Sequence, residues 1–278
     1  MYYMKNTGIL YICPTPIGNL EDMTLRAIRI LKEVDLIACE DTRVTQKLLN
    51  HYDISTKLMS YHKFSEKQKS EGIIKLLKEG KNIALVSDAG TPLVSDPGEE
   101  LIKKANENNI KTVPLPGASA LITAISAYSS ENQNFAFFGF LPRSKGEKEE
   151  LLYKYKDINV AFYEAPSRLV KTLTELTEIF GNKKAAVFRE LTKFYEEIKN
   201  DSLENLARYY TETPPKGEIV VIVEGKKELI STDESEIIEK IRILKKEGYS
   251  TKEISKIISL LTPISKSKVY ELAISSSI

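Results

Sequence analysis

Residues 87–98 read Ser-Asp-Ala-Gly-Thr-Pro-Leu-Val-Ser-Asp-Pro-Gly, a loop of small and turn-forming residues that holds two aspartates, Asp88 and Asp96, and no lysine or arginine. A Walker-type phosphate cradle needs a Gly-rich loop followed by Lys and Ser/Thr. This loop therefore suits a neutral or cationic ligand bearing ammonium and hydroxyl groups better than a polyphosphate. A tight strand–helix connection accounts for the same residues. In that reading Asp96 is the N-cap of the next helix, Pro97 takes its first position, and Glu99 and Glu100 suit its positive end. Either way the loop follows Ile83-Ala84-Leu85-Val86, an apolar run with the length of a buried strand. In open α/β sheets such strand ends are where ligands bind.

Other strand candidates end in loops of comparable interest. Gly8–Cys13 runs into Pro-Thr-Pro-Ile-Gly-Asn-Leu, where proline and glycine forbid regular structure, and Asp35–Cys39 runs into Glu40-Asp41-Thr42-Arg43. Short strands are expected at Leu58–Tyr61 and Lys111–Val113, and helices at Thr24–Lys32, Ser65–Glu79 and from Pro116-Gly117-Ala118-Ser119-Ala120 to about Tyr128. Strands and helices alternating at these lengths predict a mostly parallel sheet covered on both faces. Ser129–Asn134 is polar and reads as a boundary. Beyond it, strands at Phe135–Leu141, Asn159–Tyr163, Ala185–Phe188 and Glu218–Val223 come with fewer helices, which predicts a mixed sheet. After Gly225 three short helices follow, the second opened by the capping box Ser250-Thr251-Lys252-Glu253. They resemble a helix-turn-helix unit. The expected division is an α/β domain over 1–129, a second over 130–226, and a helical tail over 227–278.

Composition narrows the function. With 278 residues, 42% hydrophobic and 28% charged, the chain suits a normal globular protein, and a net charge of +1 argues against a strongly basic nucleic-acid surface. The tail, with ten Lys/Arg against eight Asp/Glu, is equally balanced. No apolar run reaches the length of a membrane span, and the first residues lack the pattern of a signal peptide, so a cytoplasmic location without membrane contact is expected. Cys13 and Cys39 lie in apolar strand segments and are expected as buried free thiols, with no metal site.

Taken together, PTPIGNL, EDTR, SDAGTPLVSDPG, PLPGASALITA, FFGFLPRSKG, FYEAPSRL, RELTKFYEE and KGEIVVIVEG resemble, in order and over essentially the whole chain, the bacterial ribosomal RNA small subunit methyltransferase I family of the tetrapyrrole-methylase class. The resemblance implies an α/β fold of two tetrapyrrole-methylase-type domains with a cofactor cleft between them, plus a small C-terminal three-helix unit. It implies S-adenosylmethionine as cofactor, 2′-O-methylation of a cytidine ribose in the decoding region of 16S rRNA in the small ribosomal subunit, and a homodimer. Within that family reading, cofactor contacts are expected from Pro16 and Gly18 in the first loop, from Asp88, Ala89, Gly90 and Thr91, and from Ser119 and Ala120 at a helix start. The second domain would add Tyr163, Glu164, Leu191 and Gly217 at predicted strand ends. A ribose hydroxyl needs a proton acceptor, for which Glu40, Asp41 and Glu190 are the candidates; acids before a helix are equally ordinary caps. Arg43, His62, Arg143, Lys145 and Arg168 are candidates for RNA contact, as is Lys148, although charged loops are usually only solvated. The chain departs from the family at Phe64 and in the Pro166-Ser167-Arg168 turn, where histidines are common. The rivals are a tetrapyrrole or protein-histidine methylase, whose first loop is usually of a GxGxGD type, and a ribosome-associated RNA-binding protein without turnover.

Overall fold

The computed structural model describes residues 7–62, 66–225, 234–262 and 264–275. They fall into two compact units, one holding both α/β sheets and the other built around the C-terminal helices.

The first sheet contains β1 (Leu10–Ile12), β2 (Leu36–Cys39), β3 (Leu58–Ser60), β4 (Ile83–Val86) and β5 (Thr112–Pro114) in the order β3-β2-β4-β1-β5. Every neighbouring pair is parallel, with Leu10 facing both Ile83 and Thr112. All four side chains of β4 are buried, as expected of a central strand covered on both faces. Helices α1 (Leu25–Glu33) and α2 (Thr42–His51) supply Ala27, Ile30, Leu31 and Leu49 to one face. Helices α3 (Glu66–Lys78) and α4 (Glu99–Glu107) bring Ile73, Leu77, Leu101 and Ala105 to the other. Parallel strands all end on one edge, so the loops after β1, β2, β4 and β5 gather there. Cys13 and Cys39 are buried free thiols, and burial pushes the Cys13 thiol up to about 12.

The second sheet is mixed. Strands β6 (Phe135–Phe140), β7 (Asn159–Glu164), β8 (Lys184–Arg189), β9 (Glu197–Ser202) and β10 (Ile219–Val223) lie in the order β6-β7-β10-β8-β9, with only β6 and β7 parallel. Helices α6 (Lys145–Tyr153), α7 (Leu169–Phe180) and α8 (Leu203–Glu212) cover one face through Leu152, Leu169, Leu173 and Leu206. The other face, with Ala161, Ala186, Phe188, Val220 and Ile222, packs on Ile17 and on α5 (Ala120–Ser126) of the first half. This shared layer joins the two sheets. Lys148 does not belong to the charged loop expected from the sequence. It is 1% exposed and paired with Glu175 of α7, on the buried side of α6, while Lys145, Gly146 and Glu147 of the same turn are exposed.

The remaining unit contains α9 (Glu234–Lys246), α10 (Thr251–Leu261) and α11 (Lys266–Ser275), packed around Ile237, Ile241, Ile254, Ile258 and Val269. The capping box at Ser250 and Glu253 is formed. The expected boundary at 226/227 and Phe64 lie outside the described residues. No described helix is long and apolar enough to cross a membrane.

Candidate active site

The strand-end loops of the first sheet are tied to one another. Thr15 and Gly90 exchange both backbone hydrogen bonds at 2.9 Å, and the Thr15 hydroxyl donates to the Ser87 carbonyl at 3.0 Å. The Thr91 hydroxyl donates to Ala118 O at 2.9 Å, linking the loop after β4 to the one before α5. Asp88 accepts the Asp41 N–H at 3.0 Å, linking it to the loop after β2. Gly90 adopts φ +79°, a left-handed conformation that costs glycine little.

These loops and the ends of β7, β8 and β10 enclose a cavity of about 430 Å³, within the usual range for small-molecule sites. On the first-sheet side it is lined by Asp88, Ala89, Gly90, Thr91, Ser119 and Ala120; Tyr163, Glu164, Leu191 and Gly217 line the opposite side. Two residues of the expected cofactor set stand elsewhere: Pro16 and Gly18 flank the cavity-lining Ile17 but do not line it themselves. Gly18 is instead pressed against the next wall segment, since a Cβ there would lie 2.4 Å from Lys193 Cγ. The Glu164 carboxylate is turned into the core. It accepts from the Ala165 N–H and the Thr172 hydroxyl and pairs with Arg168 at 3.2 Å, leaving this residue's edge at the cavity. Ser119 caps the seven-residue α5 through the Ile122 N–H.

Sequence reasoning passed over Ser95, Asp96 and Phe140, all of which line the cavity. Asp96 does not cap α4. The N-cap is Gly98, and the Glu66 carboxylate receives its N–H. Leu93 and Ser95 take φ values of +70° and +72°, so the chain folds back on itself and carries Asp96 to the cavity wall. The signal was present: Glu99 and Glu100 already supply the acids a helix start favours, leaving the second aspartate of the loop without that task. Phe140 follows an irregularity in β6 at Gly139, where a Cβ would lie 2.8 Å from Ser95 Oγ. A glycine inside an apolar strand is the sequence mark of such a bulge.

The three acids proposed as proton acceptors from sequence line no part of the cavity. Asp41 caps α2 and grips Arg43 at 2.6 Å, and these hydrogen bonds hold its carboxyl down to about 2. Glu190 is partly buried, but hydrogen bonds from Lys193 (2.8 Å) and the Glu218 N–H (2.9 Å) keep it below the ordinary carboxylate range. Both are braces, because a strongly ion-paired acid is a weak base. Glu40 is partly buried. Burial, with the nearby Asp88 charge, raises its carboxyl, while His62 lowers it. Burial also raises Asp88. Burial pushes Asp96 up to about 6, with the Glu40 charge adding to the rise, a Ser87 hydrogen bond opposing it, and Asp88 adding again.

The cations expected at RNA are mostly engaged within the fold. Arg168 donates to the carbonyls of Leu141 (3.0 Å) and Pro142 (3.3 Å), Lys145 pairs with Glu178, and Arg43 with Asp41. Arg143 is exposed and His62 half-buried. None of these residues lines the cavity. Among the described residues its lining includes four acidic residues, Asp88, Asp96, Glu164 and Glu218, and no lysine, arginine or histidine.

Comparison with known proteins places this geometry. The family model for Tetrapyrrole (Corrin/Porphyrin) Methylases matches residues 9–207. A protein of Bacillus subtilis named ribosomal RNA small subunit methyltransferase I is 47% identical over 223 residues, 80% of this chain and 76% of its own. A protein of the same name from Streptococcus pyogenes is 40% identical over 273 residues, 96% and 95% of the two chains. This chain belongs to the ribosomal RNA small subunit methyltransferase I family, within the tetrapyrrole methylases. Among solved structures, a diphthine synthase shares the fold with a TM-score of 0.61 at 15% identity, covering 79% of this chain and 91% of its own. A Thermus thermophilus uroporphyrin-III C-methyltransferase complexed with S-adenosyl homocysteine does so at 0.57 and 17%, covering 77% and 97%.

The protein is a methyltransferase, and S-adenosylmethionine is its cofactor. The cavity fits that molecule chemically. The carboxylate of Asp88, with no cation on the lining among the described residues, complements a sulfonium or an ammonium, while Ile17, Phe188, Leu191 and Val220 offer apolar surface to an adenine. A polyphosphate would meet only like charge there.

Proposed function

We propose that this protein transfers a methyl group to the 2′-hydroxyl of one cytidine ribose in the decoding region of 16S rRNA, within the small ribosomal subunit. It does so as a homodimer in the cytoplasm. The observation that carries the reading is the acid-lined cavity, without a cation among the described residues, framed by the loops on which the family resemblance rests. Among the residues proposed to hold the cofactor, Asp88 supplies charge, Gly90 and Thr91 supply close backbone approach, and Tyr163 and Leu191 close the opposite wall. Bound S-adenosylmethionine supplies a methyl carbon activated by a sulfonium leaving group. What the protein must add is alignment, exclusion of water and a place for the hydroxyl proton. The exposed Arg143, and Lys145 once released from its surface pair with Glu178, are suited to RNA phosphates outside the cavity.

Incubating purified protein with methyl-labelled S-adenosylmethionine and isolated small subunits tests the reading. Label in a single 2′-O-methylcytidine of 16S rRNA supports it. Unlabelled subunits beside a labelled small-molecule or protein acceptor would replace it with a tetrapyrrole- or protein-directed methylase.

A further inference from the structure

We propose that Asp96 is the catalytic base, the group that takes the proton from the substrate hydroxyl; this rests on the ribose methylation proposed above. Four features of the chain place it in that role. The loop that carries it runs through two left-handed non-glycine residues, Leu93 and Ser95, and ends at Gly98 with φ +140°. Side chains at such angles are costly to hold and are found where geometry serves a function. A Cβ on Gly98 would lie 2.8 Å from Leu85 Cδ2, so the loop lies flush on the end of β4. The helix start that would normally engage Asp96 is served by Glu66. On the far side, Gly139 lets the second sheet approach Ser95, so the loop is held between the two sheets, with Phe140 also on the cavity lining.

The surroundings of Asp96 are those of a base. The charges acting on it are Glu40 from the loop after β2 and Asp88 from the loop after β4, with Ser87 as its hydrogen-bonding neighbour. Tyr163 of β7 feels its charge from the opposite sheet, and Glu218 also lines the cavity. Among the described residues no cation holds this carboxylate in its charged form, in contrast to Asp41 and Glu190. Its affinity for a proton therefore lies close to the working pH, where a general base is most effective. In the transfer, the hydroxyl oxygen bonds to the methyl carbon as the carbon–sulfur bond breaks. The bonding pair leaves on sulfur, which becomes a neutral thioether, and the hydroxyl proton passes to an Asp96 oxygen. Solvent then takes that proton.

The test compares wild type with Asp96→Asn at saturating cofactor and small subunits. The single-turnover rate should fall about 100- to 10,000-fold, while calorimetry with S-adenosylhomocysteine shows a Kd within about tenfold of wild type. The wild-type rate should rise with pH through about 6, and the variant should lack that limb. Carbon-13 NMR of the aspartate carboxyls should show a titration near the same pH that Asp96→Asn removes. A variant with a weakened Kd but an undiminished saturating rate would make Asp96 a cofactor-binding group and overturn the proposal. Full labelling of subunits by wild type and variant alike would overturn Asp96 while sparing the substrate reading. Subunits left unlabelled by wild type would overturn the substrate reading, and with it a ribose base.

Discussion

Asp88 and Asp96, the acids that the first sheet brings to the cavity, and the acids of the second sheet are treated in opposite ways by this fold. In the second sheet, carboxylates are met by cations or hydrogen-bond donors: Glu175 by Lys148, Glu164 by Arg168 and Thr172, and Glu190 by Lys193. On the first-sheet side of the cavity, burial raises Asp88 and Asp96, the Asp41 charge adding to the rise of Asp88 and the Glu40 and Asp88 charges to that of Asp96, and among the described residues the lining brings no cation to either. A partnered carboxylate braces structure. One left without a cation beside a cavity is held ready for a cationic ligand or a proton.

Breaking one partnership in the second sheet should give the largest effect. Glu175→Ala leaves the Lys148 ammonium buried alone, which typically costs about 3–5 kcal/mol, or roughly 10 °C in Tm for a protein of this size. Thermal unfolding measures it. Replacing both partners with apolar residues of similar volume should recover most of the loss, as expected when a buried pair rather than a lone charge is removed. On the other side of the comparison, Asp88→Asn keeps an acceptor for the Asp41 N–H but removes the charge facing the cavity. Cofactor affinity by calorimetry should fall about 10- to 100-fold, in line with about 1.5–3 kcal/mol for a charge-assisted contact, with Tm nearly unchanged. Unaltered affinity would remove Asp88 from the site.

A smaller effect should appear in the pH dependence of stability. The folded protein holds the Asp96 proton up to about pH 6, whereas an unfolded chain releases it near the ordinary aspartate value. Folding therefore takes up a proton between those values, and this contribution to stability is lost as pH rises through 6. The difference in unfolding free energy between Asp96→Asn and wild type should grow in the variant's favour over that interval, by about 1–2 kcal/mol once solvent screening is allowed for. The smallest effect belongs to Lys145→Ala. Its pair with Glu178 is solvent-exposed, so Tm should not change measurably, while turnover on small subunits should fall a few-fold at the start of α6, where the side chain is suited to an RNA phosphate.

Much of this architecture was legible because burial writes itself into composition. Ile83-Ala84-Leu85-Val86 is apolar throughout because β4 is covered on both faces, and Thr24, Ser119 and Ser250 mark helix starts that their hydroxyls do cap. Strand β9 escaped because Glu-Ile-Lys-Asn-Asp-Ser is an edge strand with polar side chains toward solvent. Such strands protect their free edge with charge and so read as loops. The pairing of cations escaped for another reason. Lys148 and Glu175 are 27 residues apart and meet only after α6 and α7 pack, and no local pattern reports that distance. Asp96 was misread as a helix cap because its local sequence satisfies that rule; Glu66, from another helix, fills the place.

The central claim, that uncompensated acids at the cavity do chemistry while partnered ones hold structure, is tested most directly by single-turnover methyl transfer to small subunits at saturating cofactor with two isosteric variants. Asp41→Asn preserves an equally good helix cap and should stay within about threefold of wild type. Asp96→Asn should lose about 100-fold or more. A rate that collapses in Asp41→Asn and survives in Asp96→Asn would contradict the account.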